Sequence, residues 1–172
     1  MNRLAALIEK LVFTRLGSKK LLRGLLYIFL SLLAQTMVLN RVRILGVCPL
    51  VLPAVAVALG MFHGASWGAI LSLVMGVFAD MAFVENTVTF TLLFPLLAFG
   101  AGFLTRFYIN RRFFAYMGAA LLGLLATGLV QMLLVMARDS FAFVMLPTLL
   151  LQTLWSFPLA ALAYYPAAHW LD

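Results

Sequence analysis

Six apolar stretches, each near the roughly 20 residues that a membrane-spanning helix requires, take up most of this 172-residue chain. They fall at Leu21–Leu39, Val47–Phe62, Ser66–Phe83, Thr87–Thr105, Phe114–Met136 and Met145–Ala163. No segment between them is long enough to fold as a separate aqueous domain, which excludes an ATPase, kinase or nucleic-acid module. Hydrophobic residues are 66% of the chain and charged residues 10%, so a soluble domain is excluded as well. The expected fold is an all-α polytopic membrane protein. Residues 21–172 form six transmembrane helices, and residues 1–20 form a basic juxtamembrane leader.

Leu4, Leu7, Ile8 and Leu11 follow helical spacing, while Arg3, Glu9 and Lys10 fall elsewhere around the turn. The leader therefore reads as a short amphipathic helix on the membrane surface, broken at Gly17 and Ser18. It is not a signal peptide, because its charges are spread and no small-residue cleavage site follows the first apolar run. Pro49 and Pro53 open the short second span and predict an irregular start. Pro158 predicts a kink in the sixth span. Pro95 leaves the Thr91 carbonyl without its usual partner, so a neighbouring helix or a threonine hydroxyl must help satisfy it.

The net charge of +7 is a topology signal. Arg3, Lys10, Arg15, Lys19, Lys20 and Arg23 precede or open the first span, and Arg106, Arg111 and Arg112 cluster in one loop. Against these nine stand Arg41, Arg43 and Arg138 on the other side. The positive-inside rule then puts both termini in the cytoplasm, with the basic residues drawn to anionic lipid headgroups. No nucleic-acid partner is expected, because no basic, aromatic-studded folded surface exists to hold one. Cys48 is the one cysteine, and His63 and His169 lie in separate segments. Neither a disulfide, a metal site nor a cofactor is indicated.

Gly64, Gly68, Ser72, Gly76 and Asp80 recur every four residues in an otherwise apolar run. They form one helix ridge almost free of side chains. Lipid gives helices no hydrophobic reason to associate, so such a ridge serves close packing, within the chain or against a partner. Asp80 is an ionisable group near a span end, a functional candidate by default. It pairs with Arg43 or Arg138, meets a partner protein, or binds a ligand. Gln35, Gln131 and Gln152 lie in the first, fifth and sixth spans, as interhelical hydrogen-bonding groups or as the lining of a substrate pocket. Catalysis needs a nucleophile with a base, paired acids or a metal-bound water within mutual reach. The few acids and histidines are divided between the two membrane faces, so no enzyme is expected.

The order of features is a family signature. Gln35–Thr36–Met37–Val38–Leu39 ends the first span and leads through Gly46 and Pro49 into the second. Gly64-x3-Gly68, Gly76-x3-Asp80, Phe94–Pro95 and Gly102 follow. From about Gln35 to Arg112 the chain resembles the rod shape-determining protein MreD family. The resemblance implies a non-enzymatic membrane component of the bacterial cell-elongation complex. It also implies association with the single-span protein MreC and, through the complex, with MreB filaments and the peptidoglycan synthases RodA and penicillin-binding protein 2 (PBP2). The rival class is the six-span substrate-binding subunit of an energy-coupling-factor vitamin transporter. Those subunits often dock through an Ala-x3-Ala stripe on the first span, where this chain has only Ala34.

Overall fold

The computed structural model describes residues 15–42, 47–82, 88–107, 112–138 and 145–170. The amphipathic stretch expected around Leu4–Leu11 lies outside them. Six α-helices account for almost all of the described chain: α1 (Arg15–Leu33), α2 (Leu52–His63), α3 (Ala65–Ala82), α4 (Thr89–Phe107), α5 (Phe113–Arg138) and α6 (Met145–Trp170). α1 continues through a π-helical turn, Ala34–Val38, into a 3₁₀ turn, Leu39–Arg41. Five helical segments are long and apolar enough to cross a membrane: Leu21–Arg41, Ala65–Ala82, Thr89–Arg106, Phe113–Ala137 and Leu146–Trp170. This is a multi-pass membrane protein.

Two sequence expectations are corrected. The first concerns Gly17 and Ser18, which lie inside α1 and do not break it. An interior glycine costs a helix about 1 kcal/mol, less than opening new unsatisfied helix ends just before the membrane. The second concerns the second span, which is not one continuous helix. α2 has 12 residues, about 18 Å of helix against a hydrocarbon core of about 30 Å, and the chain is non-helical from Cys48 to Val51. The prolines cause this. A residue before proline is pushed out of the α region, which affects Cys48. Proline is tolerated in a first helical turn, where its missing N–H has no partner to lose, and Pro53 occupies that place.

α2 is nevertheless the centre of the molecule. Every residue from Leu52 to Phe62 is buried, and α2 touches all five other helices. A helix that is apolar on every side is stable only in such a position. α3 and α4 pack on it as a tight hairpin, and α5 and α6 close over another side. α1 touches this body lightly, leaving Leu22, Phe29, Met37 and Val38 well exposed. α6 runs on past the expected end at Ala163, through Pro158 and Pro166, to Trp170.

Candidate functional site

The break before α2 leaves backbone polar groups where water cannot reach them. Non-helical backbone at membrane depth is tolerated only when protein supplies the missing hydrogen bonds. Pro49 has no N–H, and its carbonyl would ordinarily accept from residue 53, which is also proline. Gln35 meets this need: its Nε2 donates to the Pro49 carbonyl at 2.9 Å, and its Oε1 accepts from Val51 N–H at 3.0 Å. One amide thus pairs with one acceptor and one donor of the non-helical segment. Leu50 N–H, between them, donates to Ser156 Oγ at 2.8 Å, and that hydroxyl donates onward to the Gln152 carbonyl at 2.7 Å. The Val51 carbonyl accepts from Ala54 and Val55 N–H and opens α2. Gln35 and Ser156 are buried. The π-helical turn that carries Gln35 inserts an extra residue into α1, the sort of local distortion that re-aims a side chain.

Tyrosine hydroxyls join α6 to the rest. Tyr27 Oη donates to the Ala163 carbonyl at 2.9 Å. Tyr116 Oη lies 3.1 Å from the Ala160 carbonyl and 3.3 Å from that of Ala54, sharing one proton between α6 and α2.

The small-residue ridge of α3 is spent inside the chain. A Cβ on Gly68 would stand 2.6 Å from Gly60 Cα, and one on Gly76 would stand 2.5 Å from the Phe90 carbonyl oxygen. Gly60 itself lies under α4, where a Cβ would come within 2.0 Å of the Ala98 carbonyl oxygen. Gly102 closes the set against Ala65 and Gly60. Three backbones therefore approach one another closer than any side chain allows. Ser72 is fully buried on the same ridge. Gly64 is not a ridge contact at all. Its φ of 85° and the empty space around its Cβ position make it the turn between α2 and α3.

Asp80 is a helix cap supplied by a neighbouring helix. Its Oδ1 accepts from Phe90 N–H at 3.1 Å, and its Oδ2 accepts from Thr91 N–H at 2.8 Å and from Thr91 Oγ1 at 2.6 Å. These amides belong to the first turn of α4, whose donors have no partner within the helix. Val88, just ahead of that turn, has no side-chain acceptor to offer. The carboxylate also sits at the positive end of the α4 dipole. Because Thr91 gives its hydroxyl to Asp80, that hydroxyl is not the group that answers Pro95. Arg43 and the side chain of Arg138, the expected ion-pair partners, lie outside the described residues.

Gln131 and Gln152 do come together, half-buried on the walls of a surface depression of about 210 Å³ between α5 and α6 with Gly128 and Thr148. Gln35 is far from them in role, clamping the break. Among the described residues no three His, Cys, Asp or Glu side chains converge as metal ligands. Sequence reasoning missed Ser156, Tyr116 and Gly60. Gly60 falls four residues before Gly64, but the turn there puts it on α2, off the α3 ridge; a lone serine or tyrosine in an apolar helix carries no signal either. The chain matches no family model, no curated protein and no solved structure.

Proposed function

We propose that this protein is a non-enzymatic scaffold of the bacterial cell-elongation complex, of the MreD type. It crosses the cytoplasmic membrane six times, with both termini in the cytoplasm. The reading is supported above all by where the MreD-like residues fall. Gln35 holds the break before α2, and Gly68, Gly76 and Gly102 set helix separations. Asp80 caps α4, and Phe94 is fully buried. In an enzyme or carrier, some motif residues converge on reacting atoms or a ligand. Here the motif residues named serve contacts between helices, as a lateral binding platform needs. Its partner is an MreC-like single-span protein, and through the complex it meets MreB filaments, RodA and PBP2.

Six crossings fit the depth that α2 covers. Gly24, near the start of the apolar segment Leu21–Arg41, lies against His63 at the end of α2, a Cβ there falling 3.1 Å from His63 Nε2. The non-helical residues before α2 lie beside Gln35, toward the other end of α1. Helix and non-helical lead-in together then make the second crossing.

One observation favours the vitamin-carrier reading: a broken helix at membrane depth often marks a transporter's binding site. In this chain, however, the backbone groups freed at the break are already bonded to Gln35 and Ser156, leaving little to greet a polar substrate. Depletion in a rod-shaped bacterium should round the cells, and a tagged copy should recover an MreC-like protein. Asp80→Asn, which loses one of two acceptor oxygens, should cost about 1 kcal/mol of stability and leave partner recovery intact. Vitamin-dependent uptake with unchanged cell shape would reject the scaffold in favour of transport.

A further inference from the structure

α1 and α6 lean together without closing. Beside the Tyr27–Ala163 contact, an open groove of about 370 Å³ follows α1 from Tyr27 to Leu39. Val51 and Val55, at the clamped end of α2, form its floor, and Leu162 and Trp170 stand on the opposite wall. Leu162 and Ala34 on the two rims are exposed, as are Leu26 and Phe29 outside the groove, so it opens sideways onto lipid.

We propose that this groove is a binding site for one acyl chain of an anionic phospholipid whose headgroup meets Arg23. The chemistry of the walls selects an alkyl chain. The two hydroxyls present are committed, Tyr27 Oη to Ala163 and Ser31 Oγ to the Tyr27 carbonyl at 2.7 Å. A polar occupant would lose its hydration without gaining partners. Length suits a single chain. Tyr27 to Leu39 spans about 18 Å along α1, a run that one extended alkyl chain follows beside the lining residues.

Charge selects the headgroup. Arg23 is exposed one helical turn before Tyr27, and Lys19 and Lys20 belong to the same helix. Trp170, 41% exposed at this end, is the residue type that settles at headgroup depth. The described acidic residue, Asp80, lies at the other end of the bundle, under the start of α4. The site is independent of the scaffold reading.

The test is native mass spectrometry of the delipidated protein with phosphatidylglycerol or phosphatidylcholine of identical acyl chains. Phosphatidylglycerol should be retained in excess. Arg23→Gln should cut that excess about fivefold, the worth of one basic residue at an anionic surface, without changing phosphatidylcholine binding. Ala34→Phe fills the groove from one wall and should abolish retention. Leu162→Trp does so from the other wall and covers the case in which the first variant misfolds. Leu122→Phe, on an exposed part of α5, should change nothing. Equal retention of the two lipids, or retention by both groove variants, would mean annular lipid only and overturn the site. So would a dimer that Ala34→Phe dissolves in the absence of lipid.

Discussion

Two prolines four apart create a demand that one glutamine and one serine meet. Pro49 and Pro53 are visible in the sequence, and so is the irregular start they impose. Which side chains answer them is not, because Gln35 and Ser156 arrive from the first and last helices, 14 to 106 residues away along the chain. Gln35→Leu should leave a buried carbonyl and a buried N–H without partners and lower stability by about 2–4 kcal/mol. Ser156→Ala strands a single N–H and should cost about 1–3 kcal/mol. Thermal unfolding in micelles measures both. A Gln35→Leu protein as stable as the parent would show that the amide is not holding the break. Asp80 tells the same story. Its position near a helix end is legible, but its partner is the backbone of the following turn, which no charge pattern announces.

Helix spacing is where the glycines act. The four-residue rhythm from Gly64 to Gly76 correctly marks a face of α3 that others approach closely. The rhythm alone cannot tell a contact from a turn, and Gly64 is the turn. A Gly60→Ala methyl would collide with the Ala98 carbonyl, part of a rigid backbone that cannot step aside. It should destabilise by about 3 kcal/mol, the upper range for overpacking. Gly118, in the second turn of α5, has nothing within 4 Å of its Cβ position, so Gly118→Ala should instead stabilise by about 0.5–1 kcal/mol. Opposite signs for one chemical change, read as unfolding midpoints, test the close three-helix contact. Two destabilised variants would reduce the glycines to generic helix effects.

At the level of the whole molecule, the number of apolar segments was legible and the integrity of the second was not. Hydropathy counts a crossing by its side chains, whereas α2 is limited by what its prolines do to the backbone. The charge asymmetry predicts that reporter fusions after Arg43, Glu85 and Asp139 read outside, and fusions after His63, Asn110 and Asp172 read inside. A fusion after His63 that reports outside would mean that α2 returns to the side it entered from. The Ser156 contact also bears on how the chain is made. Leu50 emerges from the ribosome long before Ser156 exists, so its N–H has no protein acceptor of this kind until α6 is synthesised and inserted. The second segment is then poorly suited to release into bulk lipid on its own. It must wait, sheltered by the translocon, a chaperone or its own neighbours, until the final helix locks it in place.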